Sequence, residues 1–168
     1  EASQKGCAMA VVTTGGTLLE RAEQDGVVGA TVPAGSQPRM STVYHLRALS
    51  KILQEFKVTS GFVFDEIEKS SEWLSEWLKE WSTDVPQEHN YAKQLATQTV
   101  GKTPVFYGGQ LTGSMAYKWK ISWNETAQNM AFFNQYPEFN HNEFMGWTSH
   151  PVDKPYAVFD LRSDLERP

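Results

Sequence analysis

The sequence has little of what marks many protein classes. It holds one cysteine, Cys7, which excludes an internal disulfide and any cysteine-rich metal centre. No stretch approaches the ~18 consecutive apolar residues that a membrane-crossing helix needs. The opening "EASQKG" leads into an apolar run too short for a signal peptide, without a cleavage signature. Basic charge is also scarce. A formal net charge of −5 gives no electrostatic footprint for nucleic acid and no attraction to an anionic membrane. Solenoid-period repeats and low-complexity segments are missing. G-x-G-x-x-G, P-loop and G-x-S-x-G motifs are missing too, and with them the usual marks of dinucleotide sites, phosphate cradles and serine nucleophile elbows. The expectation is a cytoplasmic protein that engages neither nucleic acid nor membrane.

What is present suits a packed α/β protein. Hydrophobic residues make up 40% and aromatics 12%, enough to bury a core. "CAMAVVTTGG" is an apolar, β-branched run that ends in glycines, so it predicts a buried strand containing Cys7. "TLLERAEQDG" predicts a short helix capped by Thr17 and stopped by Gly26, and "VVGATVP" a second strand. Strand, helix and strand at this spacing imply a parallel pair. A helix then carries Val43, Leu46, Leu49, Ile52, Leu53 and Phe56 on one side. Residues 62–100 read as helical throughout. Within them Trp73, Trp77 and Trp81 recur on one face opposite Glu72, Glu76 and Glu80, and burial against protein, in part at a subunit contact, is expected. Alternation restarts at "GKTPVFYGGQ", with further strands at "MAFFNQY" and "YAVFDL". Parallel strands are therefore expected near 8–13, 28–32, 104–107, 130–135 and 156–160. At the ends, "EASQKG" resembles a last helical turn closed by Gly6, and "LRSDLERP" stops on proline; both look cut from something longer.

Three loops carry candidate chemistry. "TTGGT" (13–17) and "YGGQLTGS" (107–114) each join a strand to a helix start, where glycines let backbone amides approach an anion; a plain tight turn is the alternative. "PAGSQPRMS" (33–41) is stiffened by Pro33 and Pro38, and Arg39 emerges beside a helix start. Its guanidinium can hold a phosphate or an enolate oxygen, or pair with a carboxylate. "PEFNHNEFMGW" (137–147) sets Glu138, His141, Asn142 and Glu143 among aromatics that would shield Glu143 from water, as a proton-transfer group requires. In an extended chain His141 and Glu143 would share a side. A metal would still need a third ligand, His150 or Glu138, and none is expected. A buried Glu–His pair is the other option.

Taken together, "VPAGSQPRMSTVYHL", "TPVFYGGQLTGSMAYKWKISWNETAQNMAFFNQYPEFNHNEFMGW" and "YAVFDLRSD" resemble the bifunctional phosphoglucose/phosphomannose isomerases, two-lobed proteins of the sugar-isomerase (SIS) fold. The resemblance implies an α/β chain of two SIS-type, flavodoxin-like parallel-sheet units, both incomplete here. Residues 1–56 would be the C-terminal part of the first unit, 57–101 a helical linker, and 102–168 the N-terminal part of the second. It implies an aldose–ketose isomerase that interconverts glucose 6-phosphate, mannose 6-phosphate or both with fructose 6-phosphate, as a homodimer without metal or organic cofactor. By resemblance Glu143 is the base, Arg39 stabilises the enediolate, and Gln37, His141 and Asn142 bind substrate. The family's ring-opening histidine lacks a clear counterpart: His150 is the one downstream histidine, in a different context, and Arg167 marks where to look. A sugar-phosphate sensor or scaffold that keeps the fold without turnover is the alternative.

Overall fold

The computed structural model describes residues 1–166, so Arg167 lies outside the described residues. The chain divides into two compact units, Glu1–Lys79 and Glu80–Pro168, which meet inside the stretch expected as a linker.

In the first unit, β1 (Ala10–Thr13) and β2 (Val28–Thr31) pair in parallel, with Ala10 opposite Val28 and Thr13 opposite Thr31. Helix α1 (Thr17–Gln24) makes the crossover, as the strand–helix–strand pattern predicts. Gly29 leaves room for it, since a Cβ there would stand 3.3 Å from Leu19 Cδ1. Gly16, at φ 70°, occupies the cap position expected for Thr17, which is instead the first helical residue. Gly6, at φ 67°, closes a short helical turn at Ser3–Lys5, as expected. Cys7 is exposed rather than buried in a strand. Its amide still bonds back to Ala2, and strand pairing begins only at Ala10.

Helix α2 (Thr42–Glu55) buries Ile52, whereas Val43, Leu46 and Leu49 on the expected apolar side remain exposed. The long helix α3 (Gly61–Glu80) has no buried residue. Trp73 and Trp77 lie tilted against each other at 5.5 Å, and Trp73, Trp77 and Trp81 are 58, 40 and 38% exposed, so the expected burial does not occur within one chain. Within a single chain the stripe is not packed away. No helix among the described residues is long and apolar enough to cross a membrane.

The second unit starts where the expected continuous helix fails. That helix ends at Glu80, ahead of Pro86, and α4 (Tyr91–Gln98) is capped afresh by Asn90, whose Oδ1 accepts from the Lys93 amide at 3.0 Å. Its sheet has β3 (Thr103–Gly108) at the centre, with β4 (Phe132–Gln135) and β5 (Tyr156–Leu161) on either side, all parallel. Register then decides which side chains share a face. Phe106, Phe133 and Phe159 stand in one row, with Tyr107, Asn134 and Asp160 in the next, on the opposite face.

The phenylalanine row packs under α5 (Gly113–Ser122). Phe106 is fully buried against Ala116 and Ala131, with Phe159 stacked at 5.1 Å and Trp119 edge-on at 5.6 Å. Beyond α5 a wider turn at Trp123–Ala127 returns the chain, and Asn124 Oδ1 accepts from the Ala131 amide at 2.8 Å just before β4. At the carboxyl end of β3, a Cβ on Gly108 would meet the Thr112 carbonyl at 2.8 Å, so the loop closes this tightly only with glycine. Truncation of Phe106 to alanine should cost about 3–5 kcal/mol of stability through transfer loss and a cavity. The same change at Met145, which is 73% exposed, should stay within about 0.5 kcal/mol. Urea denaturation of the two variants checks the contrast.

Candidate functional site

The stretch "PEFNHNEFMGW" is a helix rather than a strand. α6 runs from Glu138 to Trp147, directly after Pro137. This changes which of its residues act together. At helical spacing Phe139, Glu143 and Trp147 lie on one face, and His141 points elsewhere. Phe139, 4% exposed, anchors that face by stacking on Tyr107 at 4.1 Å and meeting Tyr136 edge-on at 4.6 Å. Trp147 packs against Tyr156 at 5.2 Å. Between these anchors Glu143 is held over the polar row of the sheet.

Both carboxylate oxygens of Glu143 are engaged. Asn134 Nδ2 donates to Oε1 at 2.6 Å, and the Tyr107 hydroxyl donates to Oε2. The Tyr107 oxygen in turn accepts from Trp147 Nε1 at 3.1 Å. Tyr107 is 2% exposed, and burial, helped by the hydrogen bond to Glu143, pushes its phenol well above the ordinary tyrosine value. It therefore remains a proton donor at neutral pH. Register alone brings Tyr107 and Asn134 side by side, as direct partners across β3 and β4.

Glu143 opens onto a cavity of about 500 Å³ that Tyr107, Asn142, Trp147, His150 and Tyr156 help to line. His150 sits edge-on to Tyr156 at 4.7 Å, and its Nε2–H donates to the Lys154 carbonyl at 2.7 Å. Tyr136 lies nearby, and its phenol is also raised, first by burial and then by a hydrogen bond to Asp160.

The expected site residues therefore separate. Glu143 and Asn142 reach one cavity. Asn142 is exposed and donates to Glu138 Oε1 at 3.0 Å. His141 is exposed on the far side of α6 and does not share a side with Glu143, because two residues on a helix span slightly more than a half turn. Gln37 and Arg39 belong to the first unit: Gln37 is exposed before the short turn Pro38–Met40, and Arg39 is half-buried within it. Among the described residues no three His, Cys, Asp or Glu side chains converge as metal ligands would. Sequence reasoning passed over Tyr107, Asn134 and Trp147. A polar Asn134 inside the apolar "AFFNQY" and the even spacing of Phe139, Glu143 and Trp147 were the available signals.

Comparison with known proteins bears on the family. Residues 88–168 match the model of the bacterial phospho-glucose isomerase C-terminal SIS domain. A bifunctional phosphoglucose/phosphomannose isomerase of Caldicellulosiruptor bescii is 35% identical over 150 residues, covering 89% of this chain and 44% of that protein. One from Aquifex aeolicus is also 35% identical, covering 98% of this chain and 47% of its own length. The chain belongs to the bifunctional phosphoglucose/phosphomannose isomerase family. It spans about half the length of the curated relatives it matches. A D-glucosamine-6-phosphate 4-epimerase of Sulfolobus acidocaldarius is 33% identical over 139 residues, covering 83% of this chain and 42% of that protein, so similarity at this level also reaches a protein named for a different reaction. No solved structure matches the chain.

The raised Tyr107 phenol has a consequence for stability. A folded-state value above the unfolded one means that the contribution is fully present below the ordinary value of 10.0 and is lost as pH rises beyond it. Between about pH 9 and 11.5 the parent should lose more thermal stability than Tyr107→Phe, whose site cannot ionise. Thermal melts across that range check the difference.

Proposed function

We propose that the protein is an aldose–ketose isomerase acting on a hexose 6-phosphate, with Glu143 as the proton-transfer base. The observation that carries this is the Glu143 carboxylate, fixed by two donors and facing a cavity of sugar size. Family membership supplies the reaction class, through relatives named for glucose and mannose phosphates.

On an open-chain aldose phosphate, Glu143 removes the C2 proton. The C–H electron pair becomes the C1–C2 double bond, and the charge passes to the aldehyde oxygen. The O2 proton then passes to O1, the electron pair it leaves closes the C2 carbonyl, and the C1–C2 double-bond pair takes back the carried proton at C1 to give the ketose. Atoms and electrons balance with no cofactor. A fixed carboxylate suits this step because proton transfer needs the base within hydrogen-bond reach of one carbon and then its neighbour. To Arg39 we assign the charge on the enediolate. This rests on the resemblance of its Gln37–Pro38–Arg39 stretch and on the planar, permanently charged guanidinium. Gln37, His141 and Asn142 are assigned to substrate contacts on the same resemblance, and a homodimer is the expected working form.

Glu143→Gln keeps the shape of the side chain and removes the base. In the full-length protein, turnover of fructose 6-phosphate should fall by roughly 10²–10⁴-fold, while its binding, measured by calorimetry, should change far less. Arg39→Lys should also slow turnover, because a point charge replaces a planar fork. Turnover at the parent rate in Glu143→Gln would remove the base from this account. Binding without turnover in the parent would favour a sugar-phosphate sensor.

A further inference from the structure

We propose that Tyr107 is the positioning residue of the base, fixing the Glu143 carboxylate so that the proton it removes returns to substrate more often than it does with a loosened carboxylate, with partial escape to water. This rests on Glu143 acting as the base and extends that reading to the residues that hold it. Tyr107 occupies the central strand, where it is 2% exposed and cannot move with the surface. Its hydroxyl has both roles filled, accepting from the Trp147 indole at 3.1 Å and donating to Glu143 Oε2. A hydroxyl with its donor and acceptor roles both committed has no freedom to turn. Oε2 is thereby covered on one side, and Asn134, its neighbour in the sheet, covers one side of Oε1 at 2.6 Å. Each oxygen keeps one lone pair, so the proton can be received only where the cavity presents it.

The partners of Tyr107 form a closed set. Phe139 stacks on its ring at 4.1 Å and Tyr136 lies at 6.4 Å, so apolar surface surrounds the phenol. Such a shell keeps water from the back of Glu143. Proton exchange with solvent competes with return to the substrate carbon, which is C2 when fructose 6-phosphate is the substrate, and a loosened carboxylate reaches water more often before return. Loss of Tyr107 should therefore change how the carried proton is partitioned as well as the rate.

The test is a double-mutant cycle on the full-length protein with fructose 6-phosphate in deuterated water. Tyr107→Phe should lower kcat by about 10–100-fold, the cost typical of removing an outer partner of a working group, with KM within about twofold. The aldose formed should carry a larger fraction of solvent deuterium per turnover than with the parent. Glu143→Gln combined with Tyr107→Phe should be no slower than Glu143→Gln alone, because one residue acts through the other. Additive losses, an unchanged kcat, or an unchanged deuterium fraction would overturn the proposal. If Tyr107→Phe lacks a cooperative melting transition, Asn134→Ala carries the same readouts from the Oε1 side, and the same outcomes decide. If Glu143→Gln alone turns over at the parent rate, the base assignment fails and the proposal falls with it. A Tyr107 effect that is additive on a crippled Glu143→Gln overturns the positioning role alone.

Discussion

The site depends on one arrangement: a helix whose every fourth residue faces a sheet, with a carboxylate between two aromatic anchors. Phe139 and Trp147 press α6 onto the strands, and Glu143 comes down with them onto Tyr107 and Asn134. A carboxylate near this much apolar surface would be costly without partners. Here both oxygens are bonded, so the carboxylate is held and aimed. Remove either anchor and the carboxylate loses its place before it loses its chemistry.

That arrangement depends on the sheet below it. Three parallel strands in register put a row of phenylalanines on one face and a tyrosine, an asparagine and an aspartate on the other. The phenylalanine row holds the sheet to α5, and the opposite row belongs to α6. A one-residue slip of β4 would exchange the two faces, placing Phe133 beside Tyr107 and turning Asn134 into the core. Stability and the proposed chemistry therefore share one register. The glycines at the carboxyl end of β3 serve the same geometry, since Gly108 lets the chain turn into α5 without pushing the strand end away.

The strands were legible in the sequence because each is an apolar run ended by a turn residue, and all five occur in parallel pairs near the expected positions. Glu143 stands out in the sequence as a candidate, a carboxylate set among aromatics. Its surroundings were not legible, because Tyr107 and Asn134 lie 36 and 9 residues away and meet it only through sheet register. His141 was misplaced because "NHNE" has no strong period. Phe139, Phe144, Met145 and Trp147 scatter around α6, which hides the helix, although Pro137 marks its start. Cys7 falls outside the strand because an apolar run does not mark where pairing begins, and here pairing waits until Ala10. The tryptophan stripe was legible as a helical face, but what a face packs against is not written in its own spacing.

The central claim is that a carboxylate-borne proton links C1 and C2 of a hexose 6-phosphate. Proton NMR of the full-length protein with fructose 6-phosphate in deuterated water tests it most directly. The account predicts that an aldose 6-phosphate appears and that deuterium enters at its C2 position, as an enediolate with an exchangeable base requires. An aldose whose C2 hydrogen derives wholly from substrate, or no aldose and no exchange at all, would contradict it.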